Sequence, residues 1–237
     1  MMSSSSKLKL VEFFYDVISP YSWLAFEVFC RYRNVWDINL KLRPALLGGV
    51  YRGSGNRSPD DVPRKYHYMG MDLLRLGSYA AVPLRAPTQP VHALMAKGSL
   101  AAMRFVTAVG EMETDGDDKV EKVSRELWKR IWSKDQDISQ LASLAEVGRQ
   151  AGLSAKKVEE LLELSQDSAI KHKLRDTTQE ALDYGGFGFP LTVCHVDGEA
   201  KIFFGSDRFE IMAHCLGEKW VGPQPVQEAI MKATMAS

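Results

Sequence analysis

Four clusters of residues in this sequence have the types and spacing to do chemistry. The first is Ser19-Pro20-Tyr21-Ser22. It follows the apolar run from Val11 to Ile18 and opens the amphipathic stretch from Trp23 to Cys30. Serine is a preferred N-cap and proline fits the first helical position, so the pattern predicts a strand ending in a helix start. Such a junction aims free backbone N–H groups and the positive end of a helix dipole at one point. A thiolate held there has a lowered pKa, and a hydroxyl that donates to it lowers it further. Neither Ser19 nor Ser22 carries sulfur, so a thiolate stabilised there would be one that arrives on a ligand. A plain helix cap at Ser19 is the alternative. Hydrolytic serine chemistry is disfavoured, because the segment has no Gly-x-Ser-x-Gly elbow and no identifiable base.

The second cluster is Phe187-Gly188-Phe189-Pro190, just before a strand. It is either an ordinary turn or a cis-proline turn whose preceding residue, Phe189, offers its backbone to an extended ligand. The third is Gly205-Ser206-Asp207-Arg208. It reads as a capping motif, or as a clamp in which backbone N–H groups meet a ligand carboxylate, Asp207 an ammonium and Arg208 a carboxylate. The fourth is Asn56 with Lys65, and Arg64 as a weaker option, on either side of a loop. These are solvated loop residues, or they hold the far carboxylate of a ligand. No metal site is read from the sequence. Cys194 and His195 are adjacent in a strand and point to opposite faces, and the remaining histidines lack ligand spacing. Trp23, Trp128 and Trp132 fall on helical apolar faces and read as core.

The elements that position these clusters follow from periodicity. Residues 8–15 and 38–43 read as strands, with a helix over 20–34 between them. The stretch from Gly48 to Pro63 is rich in Gly, Asn, Ser and Pro and reads as a functional loop or lid. A helix follows over 64–76 and an extended piece over 82–87. Residues 91–184 read as a block of helices, the last ended by Gly185-Gly186. Strands return over 191–196 and 201–204 around the turn signal Asp197-Gly198. Ser206-Asp207 then caps a last helix closed by Gly217. The order β-α-β, helices, β-β-α is that of an α/β, thioredoxin-like fold with a large all-helical domain inserted. The expected boundaries are 1–60 and 185–237 for the thioredoxin-like domain and 61–184 for the insertion.

Composition narrows the function classes. The chain has 237 residues, 45% hydrophobic and 25% charged, with a formal net charge of +0. That balance gives no electrostatic reason to expect a nucleic acid or an anionic membrane as partner. The cysteines, Cys30, Cys194 and Cys215, are odd in number and form no Cys-x-x-Cys pair, which fits a reducing, intracellular compartment. No run is long and apolar enough for a membrane span, so no membrane insertion is expected. The first six residues lack a secretory pattern, and the last four are not a Ser-Lys-Leu type of signal.

Taken together, these residues resemble the kappa-class glutathione transferases, relatives of the DsbA-type thioredoxin-fold enzymes. The resemblance rests on the segment from Phe14 through Ser19-Pro20-Tyr21-Ser22 to Trp23, and on Leu42-Arg43-Pro44, Ser54-Gly55-Asn56 and Pro63-Arg64-Lys65. It continues through Lys97-Gly98-Ser99-Leu100, Phe187-Gly188-Phe189-Pro190, Phe204-Gly205-Ser206-Asp207-Arg208 and Gly217-Glu218-Lys219-Trp220. It implies glutathione as co-substrate, with no further cofactor. Ser19 resembles the catalytic serine bonded to the glutathione sulfur, with Pro20 and Tyr21 lining that subsite. The resemblance places Asn56 and Lys65 at the glycyl end and Phe189, beside a cis Pro190, on the cysteinyl backbone. Ser206 and Asp207 are placed at the γ-glutamyl group, with Arg208 beside them. It also implies a small hydrophobic electrophile, glutathione peroxidase activity, a homodimer, and a mitochondrial or peroxisomal location. Two features depart from the family pattern: Phe189 stands where leucine is usual, and a C-terminal peroxisomal tripeptide is absent. A glutathione-dependent 2-hydroxychromene-2-carboxylate-type isomerase is the alternative enzyme. A non-catalytic glutathione- or peptide-binding module is the alternative outside catalysis.

Overall fold

The computed structural model describes residues 8–85, 98–112 and 116–225. The expectations for residues 1–6, for 86–97 and for the last four residues lie outside this set. A four-stranded sheet forms the frame, in the order β2-β1-β3-β4. Its strands are β1 (Lys9–Tyr15), β2 (Ile38–Pro44), β3 (Leu191–Val196) and β4 (Glu199–Phe204). β1 and β2 are parallel, joined by α1 (Pro20–Tyr32), while β3 lies antiparallel to both β1 and β4. The Asp197-Gly198 turn takes positive φ at both positions, 54° and 83°, as a tight hairpin demands.

Between β2 and β3 the chain forms α2 (Leu47–Ser54), a 3-10 turn (Pro59–Asp61), α3 (Pro63–Tyr79), α4 (Leu100–Met112) and α5 (Gly116–Trp132). These are followed by α6 (Leu141–Gln150), α7 (Ala155–Leu164) and α8 (Ser168–Asp183), and α9 (Phe209–Leu216) comes after β4. β1 is buried on both faces. Phe13 packs on Phe29 of α1, Tyr15 packs on Trp128 of α5, and the Tyr15 hydroxyl bonds Ser124 at 2.7 Å. On the other face, Phe14 meets the edge of Tyr184 at the end of α8. The sheet is thus clamped between α1 with α5 and α8, and burial of these aromatics contributes to its stability.

Two expectations are corrected. The segment from Gly48 to Pro63 is not a loop throughout, since α2 and the 3-10 turn occupy much of it. Its glycines serve close helix packing. A Cβ on Gly49 would come within 2.9 Å of Thr178, and one on Gly53 within 2.5 Å of Leu182, both on α8. Tertiary approach overrides weak helix propensity here. Nor do Ser206 and Asp207 cap the last helix. The N-cap of α9 is Arg208, which makes no side-chain capping bond, and Ser206-Asp207 form the bend before it. Positive φ at Gly205, 105°, folds that bend back so that the Asp207 carboxylate lies over the glycine.

Among the described residues, no helix is long and apolar enough to cross a membrane. Among the same residues, no group of three or more His, Cys, Asp or Glu is placed to hold a metal ion.

Candidate active site

Ser19 is the N-cap of α1, with extended backbone, and Pro20 follows at the first helical position. The Ser22 N–H donates to Ser19 Oγ at 3.1 Å, which satisfies one of the helix's unpaired donors. The Ser19 hydroxyl donates in turn to the Phe189 carbonyl at 3.2 Å. The Ser19 carbonyl receives the indole N–H of Trp128 at 3.1 Å. Ser19 is therefore fixed through α1, α5 and the turn before β3, and is almost fully buried.

The Phe189–Pro190 peptide bond is cis, which places Phe189 against the α1 N-terminus. The Pro190 carbonyl accepts from Gly205 N–H at 3.1 Å, drawing the Ser206-Asp207 bend to the same place. One cavity of about 450 Å³ collects Ser19, Pro20, Tyr21, Phe189, Pro190, Ser206 and Asp207. Segments that lie far apart in sequence thus form one wall.

The remaining expected residues lie elsewhere. Asn56 is exposed and donates its amide to the Phe187 carbonyl at 2.7 Å, so it braces the proline turn from outside the cavity. Lys65 and Arg64 line a second hollow of about 380 Å³, which shares Tyr21, Pro59, Tyr68 and Met69 with the first. Arg208 is exposed, is absent from the cavity lining, and pairs with Asp207 at 3.0 Å.

Sequence reasoning missed the opposite wall. Tyr68, Met69, Asp72 and Leu76 of α3 line the cavity, and their spacing along one helix face was the available signal. The Tyr21 hydroxyl donates to Asp72 Oδ2 at 3.0 Å. Burial first, and then this bond and the Asp72 charge, push the Tyr21 phenol above its ordinary range and keep it neutral. Leu47 and Tyr51 of α2 complete the wall, and Trp132, read as core, is buried and also reaches the cavity. Asp16 was missed as well. It is fully buried just before the Ser19 turn, and burial raises its carboxyl to about 6 although three hydrogen bonds pull it down.

This arrangement presents a hydroxyl, a helix N-terminus and the Asp207 and Asp72 carboxylates around a largely apolar hollow. Residues 10–217 match the DsbA-like thioredoxin domain. The chain is 48% identical over 217 residues to human glutathione S-transferase kappa 1, covering 92% of this chain and 95% of that one. The chain belongs to the kappa-class glutathione S-transferases. It is also 36% identical to glutathione S-transferase kappa 2 of Caenorhabditis elegans, over 91% of this chain and 95% of that protein. Among solved structures, a 2-hydroxychromene-2-carboxylate isomerase superposes with a TM-score of 0.70 at 21% identity, over 88% of this chain and 94% of that one. At that identity the likeness of this kappa-class chain to the isomerase is one of fold.

Proposed function

We propose that this kappa-class transferase conjugates glutathione to small hydrophobic electrophiles, with Ser19 and the α1 N-terminus stabilising the glutathione thiolate. The observation that carries the reading is the convergence of the Ser19 hydroxyl, the cis Phe189–Pro190 turn and the Ser206-Asp207 bend on one cavity. Its volume of about 450 Å³ lies within the range of roughly 300–1,000 Å³ typical of small-molecule sites.

The reaction then needs little covalent work from the protein. The sulfur sits at Ser19, where hydrogen bonding and the helix N-terminus favour the anion. The cysteinyl backbone pairs with Phe189, and the γ-glutamyl ammonium meets Asp207 beside Ser206. The glycyl carboxylate extends through the second hollow towards Lys65, with Asn56 holding the turn rather than the ligand. The apolar wall from Leu47, Tyr51, Met69 and Trp132 receives the electrophile, held at attack distance from the sulfur. A small peroxide in the same place would be reduced by the thiolate, whose sulfur takes one oxygen as the other leaves as alkoxide or hydroxide; a second glutathione thiol then displaces water to give the disulfide. A homodimer is part of this proposal, supported by exposed apolar side chains on α3, namely Tyr66, Met71, Leu74 and Tyr79. The mitochondrial or peroxisomal location that the resemblance implies belongs to the proposal too.

Steady-state assays test the reading. The purified chain should form a conjugate from glutathione and an activated aryl halide faster than it isomerises a chromene carboxylate. The reverse order would assign it to the isomerases, and turnover with neither would leave a binding module.

A further inference from the structure

Asp16 is a charged residue placed where charge is expensive. It is 0% exposed, and burial is the largest influence on its carboxyl, which titrates at about 6. A buried carboxylate survives only where its lone pairs are used. Those of Asp16 are taken by three donors from three parts of the chain. Oδ1 accepts from Ile18 N–H at 3.0 Å, within the turn that leads to Ser19. Oδ2 accepts from Leu47 N–H at 2.8 Å and from the Ser99 hydroxyl at 2.7 Å.

Two of the donors, Ile18 and Leu47, belong to segments that line the cavity. Ile18 and Ser19 line the cavity, and the Ser19 N–H itself donates to the Asp16 carbonyl at 3.0 Å. Leu47 is the first residue of α2, whose own N-cap, Leu46, offers no side-chain acceptor. Asp16 therefore caps α2 from another segment, and its negative charge suits a helix N-terminus. α2 carries Leu47 and Tyr51 into the cavity wall. Ser99 stands at the start of α4, where its carbonyl accepts from Met103 N–H at 2.8 Å.

We propose that Asp16 is a positioning residue of the transferase site, setting the Ser19 turn, the α2 wall and the start of α4 in register through one carboxylate. It touches no substrate and acts through Ser19 and α2. The inference rests on the assignment of Ser19 to the glutathione sulfur. A displacement of Ser19 by a fraction of an ångström weakens its bond to the thiolate, since hydrogen bonds fall off steeply with geometry.

The test compares Asp16→Asn, Ser99→Ala and Ser19→Ala in the full chain. Asparagine keeps the size of aspartate but has one acceptor oxygen, so its NH₂ must face a backbone N–H, of Ile18 or of Leu47, that cannot accept it. Asp16→Asn is expected to lower kcat/KM for an aryl halide about tenfold and to raise the pKa of bound glutathione by about half a unit. Ser99→Ala removes a single donor and is expected to lower kcat/KM about two- to threefold. A residue that only stabilises the fold would lower the melting temperature and leave the bound-thiol pKa in place. If Asp16→Asn folds and its thiol pKa and kcat/KM match the parent while Ser19→Ala moves both, the proposal is wrong. If Asp16→Asn does not fold, Ser99→Ala decides, a reduced kcat/KM supporting the proposal and parent values overturning it. Parent values in Ser19→Ala as well would remove the Ser19 assignment itself, and the role of Asp16 with it.

Discussion

The Ser19 hydroxyl donates to the carbonyl of Phe189, 170 residues away in sequence, across a gap of 3.2 Å. This bond joins the two halves of the site, the start of α1 and the cis-proline turn. It also states the requirement of the chemistry. A hydroxyl has one proton, so a Ser19 that donates to a thiolate must turn from the Phe189 carbonyl towards the sulfur. Its oxygen keeps the Ser22 N–H at 3.1 Å throughout that rotation, so the helix cap survives catalysis.

In the proposed function, Asp207 meets the γ-glutamyl ammonium. Asp207→Asn keeps its size and removes its charge, so the KM for glutathione should rise about five- to tenfold with little change in kcat. Arg208→Ala should change KM less than about threefold, because Arg208 lies outside the cavity lining and engages Asp207 from solvent. Initial rates over a range of glutathione concentrations check both. A fall in kcat at unchanged KM for Asp207→Asn would move that residue from binding to chemistry.

Gly186 sets the approach from α8 to the proline turn. A Cβ there would lie 2.5 Å from the Ala181 carbonyl oxygen and 2.9 Å from Leu191. The first of these is backbone of α8 and cannot swing away. Gly186→Ala should therefore destabilise the chain by about 1–3 kcal/mol. Urea denaturation measures this, and an unchanged midpoint would show that the helix end yields without strain.

Asp16 gives the fold a specific pH dependence. Its folded carboxyl titrates at about 6 because of burial, against about 3.9 for an unfolded aspartate. The folded state thus binds the proton more tightly. The resulting stability is fully present below about pH 4 and is lost as pH rises through about 6. The loss is of order 3 kcal/mol. Asparagine does not titrate, so the stability of Asp16→Asn relative to the parent should rise between pH 4 and pH 7. Denaturation curves at a series of pH values check this, and a constant difference would contradict it.

The residues show where sequence was sufficient. Ser19-Pro20 and Asp197-Gly198 were legible because a cap and a tight turn are local chemistry, complete within a few residues. Phe189–Pro190 was legible through its place in the element order. α2 was not, because Gly48, Gly49 and Gly53 read as loop until Thr178 and Leu182 of α8 stand against two of them. The cap of α2 was hidden for the same reason: it is Asp16, from another segment. Asp72 was overlooked because only the packing of α3 across the cavity brings it to Tyr21. Sequence grouped Asn56 and Lys65 with the site but gives no distance; the structure sets Asn56 on the Phe187 carbonyl and Lys65 in the second hollow.

The central claim is that Ser19 stabilises the thiolate of bound glutathione. Titrating the ultraviolet absorbance of the bound thiolate against pH, in the parent and in Ser19→Ala, tests it most directly. The account predicts a bound-thiol pKa well below that of free glutathione in the parent, and a rise of about one unit or more in the variant, with turnover at neutral pH falling in step. The same pKa in both proteins would contradict it.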